Sequence, residues 1–187
     1  MTLLEERIGK FEDALWAGVG AIHVASGTVA QSEWKLFPDS LVLANKSPGI
    51  NDIGVGLFVA PDELDSFLAE QRLSRPDFNV HPLREKIECL PVTYLEPVAS
   101  KNNAIELDIA HEENRYRAAP ALATQATSIS QDLTFQCRIK VIPGLFVLSP
   151  YYSLPCTPGS GINPEEFVGL VDAPFVVVKS TAGTLAA

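Results

Sequence analysis

The sequence predicts an α+β fold: a long N-terminal helix, then an antiparallel set of strands with helices at its flank. Three observations carry that prediction. Leu4, Ile8, Phe11, Leu15, Val19 and Ile22 recur at three- and four-residue steps, the period of a helix. Ile50 to Ala60 has the apolar, glycine-bearing composition of a buried strand, and Pro61 begins a helix directly after it. From Ile87 onward, apolar and polar residues alternate in strand-length runs.

The first helix carries Glu5, Glu6, Arg7, Glu12 and Asp13 between its apolar positions, so its apolar stripe is narrow and close to a coiled-coil seam. About 20 residues of helix span about 30 Å, enough for a stalk or a dimer strut. The same stripe also suits an ordinary amphipathic helix packed on its own domain, and the pattern leaves both readings open. Gln31 to Asn45 is a polar stretch with a short apolar pattern. In the strand that follows, glycines are expected where another backbone comes close. Pro61-Asp62-Glu63 starts a helix with acids in its first turn and Leu64, Phe67 and Leu68 on one face. Phe78 to Pro82 reads as a short extended piece broken by its proline.

In the second half, Ile87 to Leu95 and Ala104 to Ile109 are candidate strands. A helix carrying Arg115, Tyr116, Ala118 and Ala119 follows, and Pro120 kinks or ends it. Ser128 to Phe135, Gly144 to Tyr152 and Phe167 to Val178 are further strands. Pro155 to Pro164 is a loop rich in proline, glycine and serine, and Asn163-Pro164-Glu165-Glu166 is a capped helical turn. The expected organisation is a stalk helix and linker over residues 1–45, then a second unit over 46–187.

At 187 residues, with 47% hydrophobic and 20% charged residues, the chain is expected to fold as one compact soluble domain. It carries 14 Lys and Arg against 23 Asp and Glu, a net charge of −9. That balance argues against nucleic acid and against anionic lipid as partners, since both need clustered cations. No run approaches the roughly 18 apolar residues of a membrane span, and Met1 to Arg7 lacks the basic and apolar regions of a signal peptide. Cys89, Cys137 and Cys156 stand far apart, so a zinc site is not expected. One disulfide plus a thiol is possible on the count, and three unpaired thiols is the simpler reading.

Catalytic motifs fail one by one. Gly18-Val19-Gly20 lies in a helical pattern with His23 where a dinucleotide fingerprint needs glycine. Gly159-Ser160-Gly161 lacks the strand-turn-helix of a nucleophile elbow. His111-Glu112-Glu113 lacks a second histidine four positions on, and His23 and His81 have no partner at ligand spacing. Glu112-Glu113 and Glu165-Glu166 each open a helical pattern, where carboxylates favour the helix dipole. No enzyme activity and no cofactor are expected. One residue survives: Asp108, in the otherwise apolar Ala-Ile-Glu-Leu-Asp-Ile-Ala run. It either caps a helix or presents a carboxylate to N–H donors of a small molecule in a cavity.

Leu90-Pro91-Val92-Thr93-Tyr94-Leu95-Glu96-Pro97, Asn102-Asn103, Ala104 to Asp108 and the Arg115 region together resemble the CHASE domain. This is the extracytoplasmic sensor module of cytokinin-receptor histidine kinases and many bacterial receptors. Thr124, Ile129-Ser130, Gly144, Phe146 to Tyr152, Phe167 to Val171 and Phe175 continue the family's order, and Glu33 to Phe37 and Pro48-Gly49-Ile50 precede it. The chain departs from the family at Glu106, where a small residue or glycine is usual, at Gln125 and at Asp132. The resemblance implies a stalk helix carrying a PAS-like antiparallel sheet with a ligand cavity between sheet and helices. It implies a periplasmic or extracellular location, membrane helices outside this chain, and an output histidine kinase or diguanylate cyclase. The implied partners are a second copy through the stalk helix and a small molecule with N–H groups, purine-type compounds being one class. The implied ligand-binding residues are Asp108, Ile129 beneath a ring, Ser149 on a central strand and Gly169, whose missing side chain keeps the cavity open. The alternative is an interaction module whose cavity its own side chains fill.

Overall fold

The computed structural model describes residues 3–25, 29–41, 50, 52–82, 88–98, 104–111, 128–129, 133–137, 140–153 and 167–176. Its elements in chain order are α1 (Leu3–Val24), α2 (Gln31–Leu41), β1 (Ile53–Leu57), α3 (Leu64–Ser74), β2 (Val92–Glu96), β3 (Ser128–Ile129), β4 (Leu133–Cys137), β5 (Lys140–Tyr152) and β6 (Phe167–Val176). The strands form one sheet in the order β2-β1-β6-β5-β3, with β4 also on β5, and every strand pair is antiparallel. The fold is α+β.

The helical stripe of α1 is used inside the domain. Phe11, Leu15, Val19 and Ile22 are all buried in one core with Trp34 of α2, Ile53 and Val55 of β1, Tyr151 of β5 and Val171 and Ala173 of β6. Gly18 belongs to that seat: a Cβ there would stand 3.2 Å from the Val171 side chain and 3.3 Å from both Phe37 and Trp34. No helix among the described residues is long and apolar enough to cross a membrane.

Gln31 to Leu41, read from sequence only as a polar stretch, is helix α2. Its mostly polar composition and Pro38 mask it, but Trp34, Phe37 and Leu41 at i, i+3 and i+7 build its buried face. Trp34 is fully buried, its indole N–H donates to the Ile53 carbonyl at 3.3 Å, and it stacks on Phe37 with ring centroids 5.1 Å apart. The expected helix after Pro61 is α3, preceded by a turn, and its Leu64, Phe67 and Leu68 pack with Val59, Phe78, Val80 and Cys89 as foreseen.

Several strand expectations are corrected. Ile50 to Ala60 contracts to Ile53–Leu57, with Ile50 and Val59 left as single bridge positions. Ile87 to Leu95 becomes Val92–Glu96, because Pro91 has no N–H to extend the ladder and Cys89 forms only a bridge to Val59. Ala104 to Ile109 is not a strand. Glu106 adopts a left-handed φ of 76°, which breaks the extended run into two turns. That run is tied to its surroundings by bridges from Leu107 to His81 and from Asp108 to Pro91. Phe78 to Pro82, expected as a short extended piece, lies outside the named strands: Phe78 and Val80 are core residues, and His81 makes a bridge to Leu107. The helix expected at Arg115, its end at Pro120, Thr124, Gln125, Asp132, the Pro155–Pro164 loop and Cys156 lie outside the described residues.

Candidate ligand-binding cleft

Alternation along β1 and β6 gives the sheet two different faces. Val55 and Leu57 face α1 and α3, and with Tyr94, Tyr151 and Val168 they line a cavity of about 500 Å³. Ile22 of α1, Glu33 of α2 and Phe67, Glu70 and Gln71 of α3 close its other walls. An adjoining cleft of about 540 Å³ runs between α2 and α3 over the end of β2, past Lys35, Ser74 and Glu96, and shares Ala30, Glu70, Gln71 and Tyr94 with the first. Volumes of this size suit drug-sized small molecules.

A hydrogen-bonded ladder holds the shared wall. The Arg75 guanidinium donates to the Thr93 carbonyl at 2.6 Å and to the Gln71 side-chain oxygen, and it lies 4.3 Å over the Phe78 ring. Gln71, with its oxygen committed to Arg75, hydrogen-bonds Tyr94. Burial pushes the Tyr94 phenol above its ordinary pKa, which the Arg75 charge partly offsets, and burial pushes the Tyr151 phenol far above its own. Both rings therefore stand neutral at the cavity wall. Burial lowers the Arg75 pKa as well, against the opposing pull of Tyr94 and Glu106.

On the other face, Gly54 and Gly56 look toward Asp172, Leu170, Leu90 and Ile109. Gly54 is required because a Cβ would collide with the Asp172 carboxylate. Asp108 lies on this side. It is fully buried, and its Oδ1 accepts from the backbone N–H of Leu90 at 2.9 Å and of Ala110 at 3.0 Å. The carboxylate thus clasps the turn it begins and ties that turn to the chain 18 residues earlier.

The four residues singled out by sequence are not brought together. Ser149 is fully buried on β5 opposite Val171, two residues from Tyr151 and hence on the α1 face. Gly169 pairs with Leu57 and Tyr151, and a Cβ on it would collide with the Gly56 carbonyl and press on the Tyr151 ring at 2.9 Å. Its empty side therefore sets the position of a cavity-lining tyrosine. The backbone of Ile129 pairs with Val147. Asp108 belongs to the opposite face. The residues that sequence reasoning missed are Tyr94, Tyr151, Gln71 and Glu96, each of which reads alone as an ordinary strand or helix residue. The signal available for Tyr94 and Glu96 was their alternate spacing near the end of one short strand.

The CHASE domain family matches residues 27–186 of the chain. No curated protein matches it. The periplasmic sensory domain of the Campylobacter jejuni chemoreceptor Tlp1 is similar at 12% identity over 97% of this chain, with a TM-score of 0.42. The match covers 61% of the length of that domain, so the chain spans about three fifths of it.

Proposed function

The chain belongs to the CHASE domain family, and from that premise we propose that it is the extracytoplasmic ligand-binding sensor of a transmembrane receptor. The output domain, a histidine kinase or a diguanylate cyclase, and the membrane helices lie outside this chain. The observation that carries the reading is the construction of β6. Leu170 and Asp172 face the Asp108 side while Val171 and Ala173 seat α1, so one strand joins the Asp108 side to the seat of the stalk helix. A ligand that changes the seat of β6 changes the seat of α1. It biases the output only by its difference in affinity between the two stalk arrangements.

In this proposal Asp108, Ile129, Ser149 and Gly169 act on the ligand site in different ways. Asp108 fixes the 104–111 turn against which the N–H groups of a ligand lie. Ile129 lies beneath the ring of that ligand. Ser149 and Gly169 set the strands behind it. The domain pairs with a second copy through the α1 face left open by the sheet, where Trp16 is 37% and Val24 89% exposed. That face also favours the alternative, an interaction module that regulates through dimerisation without a small ligand.

A thermal-shift screen of the domain against purines, cytokinins, amino acids, organic acids and short peptides tests the proposal. A ligand at about 100 times its dissociation constant adds about 2.7 kcal/mol, or roughly 5 to 11 °C at this size. Loss of that shift in Asp108→Asn assigns the ligand to the Asp108 side. A screen with no hit, together with concentration-dependent dimerisation abolished by Trp16→Glu, establishes the interaction module instead.

A further inference from the structure

Glu96 ends β2 with only 9% of its surface exposed, and it lines the cleft between α2 and α3. Among the described residues its carboxylate accepts no hydrogen bond and pairs with no cation. The residue is nine-tenths withdrawn from water, its carboxylate opens on the cleft, and a cation entering from solution pairs with it there. Around it, Glu70 stands at the rim, and Gln31, Ser74 and Gln71 add polar walls. Tyr94 supplies a ring beside these groups. Lys35 is the one cation on the lining, and it sits exposed on α2. The Arg75 guanidinium is committed to Thr93 and Gln71.

A metal ion does not fit, since among the described residues no three His, Cys, Asp or Glu side chains are grouped to hold one. The cleft has the volume of a small organic molecule, and Glu70 and Glu96 give it two carboxylate acceptors for N–H donors. We propose that the α2–α3–β2 cleft binds a small organic cation carrying primary ammonium or guanidinium N–H groups, with Glu96 as the counter-charge in its wall and Glu70 as its partner at the rim. This deepens the sensor reading and rests on it, but places the site on the α1 face of the sheet rather than beside Asp108. An occupant there contacts α2, α3 and β2 together, and the adjoining cavity reaches Ile22 of α1.

Calorimetric titration of the 187-residue chain with putrescine, agmatine and tyramine tests the assignment, with tetramethylammonium as a cation that has no N–H to donate. The expected result is saturable binding of at least one N–H-bearing amine at a dissociation constant on the order of 0.1 mM or below. Glu96→Gln, which keeps the shape and removes the charge, weakens it at least tenfold. Glu70→Gln weakens it less, and Asp77→Asn, exposed and outside the cleft, leaves it unchanged. Melting curves of Glu96→Gln that match those of the wild type show that the fold is intact. Binding that survives Glu96→Gln but disappears in Asp108→Asn overturns the cleft and leaves the sensor reading standing. So does a chain that ignores all three amines while responding to another compound in the screen. A chain that binds neither the amines nor any compound of the screen overturns both.

Discussion

Replacing Asp108 by alanine removes the acceptor of two backbone N–H groups, those of Leu90 and Ala110, which are only 4% and 7% exposed. Neither residue can turn to water without opening the core formed by Leu90, Val92, Ile109 and Leu170. Each buried donor left unsatisfied costs about 1 to 3 kcal/mol, so the pair amounts to about 4 kcal/mol. At this chain length that lowers Tm by about 8 to 16 °C. Asparagine retains the Oδ1 acceptor of both bonds and costs less than alanine. The assay is a pair of thermal melts by circular dichroism, Asp108→Ala beside Asp108→Asn. If the alanine variant melts within about 2 °C of wild type, or if both variants fall equally, the carboxylate does not clasp the turn and the reasoning fails. The comparison also decides which variant reports on ligand binding. Alanine confounds a lost ligand contact with a loosened turn, whereas asparagine keeps the Oδ1 acceptor that holds the turn.

Three further outcomes follow from the same geometry. Glu106→Gly relieves a left-handed φ of 76° that costs a non-glycine residue about 1 to 2 kcal/mol, so after the entropic loss of glycine it raises Tm by about 1 to 4 °C, and a fall in differential scanning calorimetry refutes the strain. Gly169→Ala drives a methyl into the Gly56 carbonyl and the Tyr151 ring and destabilises by about 1 to 3 kcal/mol in denaturant titrations; an unchanged midpoint shows that the strands separate freely there. Tyr151 carries its proton to a higher pH in the folded chain than in the unfolded one. Stability is therefore full below about pH 10, the unfolded value, and falls above it by up to about 1.4 kcal/mol per pH unit. Melts from pH 8 to 11.5 show this decline, Tyr151→Phe reduces it, and parallel curves for the two proteins contradict the burial argument.

Much of the fold is local and was legible from periodicity. The three- and four-residue spacing of Phe11, Leu15, Val19 and Ile22 specifies a helix whatever it packs against. Leu64, Phe67 and Leu68 specify the apolar face of α3 in the same way. The β-branched runs around Val55, Val147 and Val171 carry the antiparallel sheet. Helix α2 was obscured because a proline and a polar majority outweigh three apolar positions. The Ala104–Ile109 run misled because alternation cannot register a left-handed residue, although an unusual residue before Leu107 and Asp108 was visible there.

Tertiary structure alone decided the direction of the α1 stripe, which the spacing left open between a partner helix and its own sheet. The stripe lies on Val171 because Gly18 lets the helix approach. It alone decided the bonds of Asp108, since one of its partners is a backbone N–H 18 residues away. It also decided the cleft. Gln31, Gln71 and Glu96 belong to three elements, each reads as a polar residue on a surface, and nothing in a linear pattern signals that they face one another. Periodicity reports which side of an element is apolar, because that depends on neighbours three or four positions away. Which carboxylate comes to line a cleft depends on groups brought together only when helices and sheet close.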